Sequence, residues 1–531
     1  MNQPNKDYTP RGRAALLALV GVLVALSFIP PQNVGGVELR RANILSEILS
    51  FDDAVAETPS EPELFDEEEF TIDLDEVSEQ VEAAVVAVPE HIQKSYAWSV
   101  DSLYTAERTK VEADTALLRH TTTPIEDFSK DSRMEAFYDT LLNAKRPVRI
   151  AFMGDSFVEG DILTQDLREK LQETYGGGGA GFAPTASPLT GFRRTIKTHS
   201  KGWTAYNVMQ QKKTPEALRN NFYVSGWVCA PAVDASTRWE VTASKKHLDA
   251  CTTARLLFLS PSASRIEVVV NDSLKREFRI DADSSVREIA VSAPRIGSVA
   301  MTVREGVEGF TGYGAVFEHP GVVVDNYSIR SNNGQAMFRT NARINAQINE
   351  LMPYDLIILQ YGLNIMQQGV HLYGNYARQI EKMVAYVRQC FPQAAVLVLG
   401  VSDRSVKGEA GFEPMDAIPH MLRFQREAAE NTGAAFWSTA DAMRSLGGMA
   451  AFVANGWAGK DYTHINFAGG RQVAYQLFNA IDSGVRHHYN RILIEEQQRR
   501  AEQMRIDSLE MLMPVADIAL PRQGVEISLN D

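Results

Sequence analysis

Pro147-Val-Arg-Ile-Ala-Phe-Met153 runs without a break into Gly154-Asp155-Ser156-Phe157-Val158-Glu159-Gly160-Asp161. The first seven residues form a short apolar run that suits a buried strand. The small Gly154 permits a tight strand-to-helix turn. Such a turn would expose the Ser156 hydroxyl at the strand's C-terminal end and aim its backbone N–H at an anion at the start of the next helix. Alone, Gly-Asp-Ser is a weak signal in a chain of 531 residues. Just upstream, Ile125 to Leu142 shows helical periodicity.

Two further segments add to it. Tyr354-Asp-Leu-Ile-Ile-Leu-Gln-Tyr361 repeats the buried-strand pattern and ends in Gly362-Leu363-Asn364. An Asn just past a strand end can turn its side-chain N–H into the same cleft as an oxyanion donor, or be an ordinary loop residue. Asp461-Tyr462-Thr463-His464 precedes the helical pattern Gly469 to Phe478. There a carboxylate could fix an imidazole that acts as general base on a serine. A competing pair, Asp416 and His420, is interrupted by Pro419 and lacks a matching strand. His487-His488 lies in a charged tail and reads as solvated rather than metal-binding.

In this order the three segments resemble the SGNH (GDSL-type) hydrolase superfamily. Its first block is similar to Gly154-Asp155-Ser156, its third to Gly362-Leu363-Asn364 and its fifth to Asp461-x-x-His464. The resemblance implies a three-layer α/β/α fold on a parallel sheet, with Ser156 as nucleophile, His464 as base and Asp461 orienting His464. It also implies oxyanion donors from Ser156 N–H and Asn364. Block two departs from the family: Val324 to Gly334 carries Ser328 and Ser331 where relatives often carry glycine. Ser328 N–H is taken as the third donor, with Gly334 marking a possible shift of the loop. Ile365 follows Asn364 where an Asp is familiar. No metal or cofactor is required.

Blocks one and three stand about 200 residues apart, more than one helix-strand-helix passage needs. Between 198 and 319 the pattern changes to short alternating segments, such as Arg265 to Val270, Lys275 to Ile280, Val286 to Val291 and Val299 to Val303, separated by turn-like pieces. That is the pattern of an antiparallel β-sandwich. Cys229 and Cys251 lie in it and could pair in an oxidising compartment. A carbohydrate-binding-like sandwich inserted into an SGNH domain (124–197 and 320–483) resembles bacterial peptidoglycan O-acetylesterases. Trp203, Trp227 and Trp239 could stack on sugars, or pack in cores.

The flanks differ in kind. Ala14 to Ile29 is an uncharged apolar run preceded by Lys6, Arg11 and Arg13. It spans about 24 Å as a helix and reads as a signal anchor within residues 1–30, with a cleaved signal as the alternative. The positive flank stays in the cytoplasm, so the rest would be exported from a bacterial cytoplasmic membrane into the periplasm. From 31 to 123 the chain reads as an acidic linker followed by a helical segment. Net charge is −14, from 53 Lys+Arg and 67 Asp+Glu. Fourteen of the acids fall between Asp52 and Glu82 with no base among them. The remainder is balanced, which excludes a basic nucleic-acid binder. Residues 484–531 read as a charged helix and tail.

The sequence thus points to a membrane-tethered serine esterase that removes O-acetyl groups from an envelope polysaccharide, with peptidoglycan as the first candidate. The alternatives are an O-acetyltransferase using the same serine, and a non-catalytic glycan-binding protein.

Overall fold

The computed structural model describes residues 32–34, 37–39, 93–101, 104–108, 121–408 and 411–512. The apolar run 14–29, most of the acidic stretch and the tail beyond 512 lie outside them. In the unit up to Asp66, Gln32–Val34 pairs antiparallel with Val37–Leu39. Among the described residues no helix is long and apolar enough to cross a membrane.

In the unit from Glu67 onward, the expected buried strands form one six-stranded sheet. Its order is Val322–Ser328, Val148–Gly154, Leu356–Gln360, Ala395–Gly400, Ala435–Ser438 and Glu126–Asp127. All neighbours are parallel except the last pair, where Ala435 faces Asp127. Val148–Gly154, Leu356–Gln360 and Ala395–Gly400 are buried throughout, as largely apolar runs covered on both faces should be. Helices Arg133–Asn143, Thr164–Tyr175 and Phe467–Leu512 pack as one group, and Ala342–Leu351, Gly374–Cys390 and Ala417–Thr432 as another. Only part of the periodic stretch after Ile125 is helical: Glu126–Asp127 pairs with the sheet edge and the helix begins at Arg133.

The register sets the site. Ser328, Gly154 and Gln360 stand side by side across three adjacent strands. The three chain segments therefore leave the sheet at one edge, which is where ligands bind in open α/β folds.

The inserted β-region differs from expectation in three ways. Its strands form one continuous ten-stranded network rather than two separate sheets, because Thr311–His319 bonds to Gly178–Pro184, Trp227–Val241 and Thr253–Ser260. The network extends beyond 198–319, taking in Gly178–Pro184 and Ser95–Ser99. The latter lies in the stretch expected to be helical, and pairs parallel with Glu288–Ser292. Finally, Cys229 and Cys251 are unpaired. Each buried thiol donates to a carbonyl at 3.3 Å, Cys229 to Ala186 and Cys251 to Thr253.

This region has a core of its own, including Trp239, Phe258, Val268 and Phe310. It is joined to the six-stranded sheet by charge. Arg149 on Val148–Gly154 pairs with Glu318, both nearly inaccessible to water, and Glu318 also accepts from Arg255 at 2.8 Å. At the other end of the chain, the helix from Phe467 runs unbroken to Leu512, so no element boundary falls at 483.

Candidate active site

The sharp turn after Val148–Gly154 is possible because residue 154 has no side chain. A Cβ there would lie 2.5 Å from Val158 Cγ2 and 2.7 Å from Gln360 Oε1. Asp155 is extended, and its Oδ1 accepts from Phe157 N–H at 2.9 Å. Ser156 opens a short 3-10 segment that breaks at Glu159 and Gly160 before the helix at Thr164.

Across the sheet edge, Ser156 Oγ lies 3.5 Å from His464 Nε2, and His464 Nδ1 lies 2.7 Å from Asp461 Oδ2. Because a carboxylate can only accept, the proton sits on Nδ1 and Nε2 is left to accept from the serine. Asp461 Oδ1 takes the backbone N–H groups of Thr463 and His464 at 3.0 and 3.1 Å. Partial burial pushes the Asp461 carboxyl up, but the His464 bond and these N–H groups outweigh it and hold the pKa at about 2. The pair is open to solvent, with about half of each side chain exposed. Such a chain can deprotonate a hydroxyl nucleophile and return the proton to a leaving group.

The loop holding His464 is strained and braced. Tyr462 has a positive φ of 55°, uncommon for a bulky residue. Its carbonyl accepts from Ser405 N–H at 3.0 Å, and its ring stacks on Phe412 with centroids 3.8 Å apart and planes 9° apart. Ser405 and Phe412 belong to a small hairpin, Ser405–Lys407 with Phe412–Pro414, that sequence reading missed.

Asn364 reaches the same edge through Gly362, whose φ of +120° suits glycine and whose Cβ would meet Val401 Cγ1 at 2.8 Å. Its Nδ2 donates to Asn332 O at 3.0 Å and, less closely, to Asp155 Oδ2 at 3.3 Å. Asp155 is fully buried, and burial raises its carboxyl to about 7 against the pull of the Phe157 N–H. Ser328 does not fill its expected role, because its N–H is already taken by Asn326 Oδ1 at 3.1 Å. The Asn-x-Ser spacing of an Asx turn was the available signal. Ser331, by contrast, has φ +58°, the conformation a glycine would favour.

The other sequence candidates fall elsewhere. Asp416 bonds His371 Nε2 at 3.1 Å, and His420 stacks on His371 instead of joining Asp416. His488 is buried against Asp139 at 2.9 Å. Trp239 is buried, with its N–H donated to Pro184 O, and Trp203 packs beside Phe310. Among the described residues, no group of His, Cys, Asp and Glu is placed to hold a metal.

No protein-family model and no curated protein matches this sequence. Solved structures do. A peptidoglycan O-acetylesterase superposes with a TM-score of 0.56 at 20% identity, covering 68% of this chain and 99% of the other. A family two carbohydrate esterase from Cellvibrio japonicus aligns with 54% of this chain and 99% of its own, at 11% identity and a TM-score of 0.23. A lipase/acylhydrolase from Enterococcus faecalis matches 30% of this chain and 76% of its own, at 13% identity and a TM-score of 0.24. The first of these shows that the chain shares the fold of a peptidoglycan O-acetylesterase, in keeping with the SGNH-type resemblance of its three sequence blocks.

Proposed function

We propose that this chain is a serine esterase that removes O-acetyl groups from a cell-envelope polysaccharide, with peptidoglycan as the first substrate to test. The observation that carries the reading is the contact series Ser156 Oγ, His464 Nε2, His464 Nδ1, Asp461 Oδ2 at the sheet edge. Ser156 Oγ attacks the ester carbonyl as His464 Nε2 takes its proton. The carbonyl oxygen becomes an oxyanion received by Ser156 N–H, by Asn364 Nδ2, which exchanges its longer bond to Asp155, and by Ser331 N–H in place of Ser328. His464 then protonates the departing sugar oxygen, leaving an acetyl-serine. Water, deprotonated by His464, attacks that ester, and acetate leaves as the proton returns to Ser156.

Solvent exposure of His464 and Asp461 favours hydrolysis over transfer, since water reaches the acyl-enzyme freely. The same openness suits a polymer better than an enclosed small molecule. We read Ala14 to Ile29 as the tether that keeps this activity at the outer face of the cytoplasmic membrane.

Acetate release from O-acetylated peptidoglycan by the full chain, beside its Ser156→Ala variant, tests the reading. Release by the parent alone supports it. A folded Ser156→Ala protein that keeps parental activity overturns it.

A further inference from the structure

Three residues past Ser156 the chain enters a cavity between the nucleophile segment and the β-region. Glu159, Phe182, Ser225, Trp227, Asn326 and Ser328 are among its lining residues. The walls are largely apolar, yet two of its polar groups are unsatisfied. Glu159 is 2% exposed, and its Oε2 accepts from Arg330 Nε and Nη2 at 3.1 and 2.7 Å. Its Oε1 is buried and has no hydrogen-bond partner. Ser225 is 4% exposed, and its Oγ is equally without one.

A buried carboxylate oxygen and a buried hydroxyl left unpaired each cost about 1–3 kcal/mol, so folds seldom keep them without use. On the same wall Asn326 is fully engaged, its Oδ1 accepting from Ser328 N–H and its Nδ2 donating to Val158 O and Thr164 Oγ1, so the shortfall is local to Glu159 and Ser225. The Glu159 charge is already balanced by Arg330. What Oε1 lacks is therefore a neutral donor rather than a second cation. Ser225 Oγ can donate or accept, and the Phe182 and Trp227 rings offer apolar surface to the C–H face of a ring.

We propose that this cavity is a glycan subsite, in which a hydroxyl or amide N–H of the sugar beside the acetylated position donates to Glu159 Oε1 and a second polar group of that sugar pairs with Ser225 Oγ. The subsite rests on the esterase reading for its place in the reaction, but its binding chemistry does not. It would set which polysaccharides are accepted, while leaving the bond-breaking groups unchanged.

The test uses the full chain with Ser225→Ala, Ser225→Val and Glu159→Gln. Turnover is measured on O-acetylated chito-oligosaccharide, O-acetylated xylo-oligosaccharide and a small aryl acetate. Loss of one neutral hydrogen bond lowers the ratio of glycan kcat/KM to aryl acetate kcat/KM about fivefold in Ser225→Ala, and the bulk of Ser225→Val lowers it further. In Glu159→Gln, a fall confined to the chito-oligosaccharide identifies an amide N–H as the donor to Glu159; a fall on both identifies a hydroxyl. Titration calorimetry of the unacetylated oligosaccharides, with all three substitutions placed on a Ser156→Ala background, reads the subsite without chemistry. Unchanged ratios and unchanged binding in all three variants would mean that the cavity holds water only, and overturn the subsite. No binding of either oligosaccharide to Ser156→Ala overturns it as well. Retained turnover in Ser156→Ala instead defeats the esterase reading and leaves the binding result to judge the subsite.

Discussion

Asp155→Asn should make the protein more stable at neutral pH and less active, with opposite signs from one atom. Asp155 is fully buried one residue before the nucleophile, and its pKa is raised from 3.8 to about 7, chiefly by burial. Between those values the folded protein binds a proton that the unfolded chain does not. Stability therefore falls as pH rises through this window. Three units correspond to about 4 kcal/mol of destabilisation once the carboxyl is ionised, at 1.36 kcal/mol per unit. An amide cannot ionise, so the variant escapes that loss. Its Oδ1 can keep the Phe157 N–H bond, but its Nδ2 would face Asn364 Nδ2, donor against donor, and turn Asn364 away. Urea denaturation of parent and variant at pH 4, 5.5, 7 and 8 measures the effect. The stability difference should grow by about 4 kcal/mol from the lowest to the highest pH, while ester turnover drops. A difference constant to within about 1 kcal/mol across that range would refute the argument.

Other substitutions probe the remaining parts. Phe412→Ala removes the ring that stacks on Tyr462 beside the base; kcat on an aryl acetate should fall about 3- to 10-fold with KM nearly unchanged, and Phe412→Tyr should restore it. Asp461→Asn takes away the acceptor that fixes the His464 tautomer; kcat should drop by roughly 10³–10⁴-fold with the circular dichroism spectrum intact. Arg149→Met leaves Glu318 and Asp325 buried without their common cation, although Arg255 still serves Glu318; urea denaturation should show a loss of about 3–5 kcal/mol.

What could be read from the sequence follows from what is local. The strands Val148–Gly154 and Leu356–Gln360 were legible because both faces are covered and each run is largely apolar. Ser156 and Asn364 were legible because each sits just beyond such a strand, and the Asp461–His464 pair because it stands just before a helical pattern. The oxyanion role given to Ser328 failed for a local reason too, since the bond to Asn326 two residues earlier consumes its N–H. Long-range partners left only a short trace. Ser95–Ser99 is a strand because Glu288–Ser292 lends it a sheet edge, and the sign of it is the brief alternation of Tyr96, Trp98 and Val100, which pack on the β-region's core. Phe412 meets Tyr462 fifty residues on, through a hairpin too short for alternation to show. The closing of the β-strands into one network likewise depends on Thr311–His319 serving three neighbours, a property of assembly rather than of any one segment.

The β-region leaves the catalytic sheet near Gly177 and returns at Gly321, and the two ends touch: Val322 N–H donates to Gly176 O at 2.8 Å. That closure bears on the order of folding. The nucleophile strand must pair with Val322–Ser328 across about 170 residues of chain, and closing a flexible loop of that length costs roughly 4–5 kcal/mol. A β-region that forms first, with its ends already abutting, pays that cost from its own internal contacts. The strand carrying Ser156 then meets a neighbour delivered to it, and the edge on which the chemistry depends assembles as a late, short-range event.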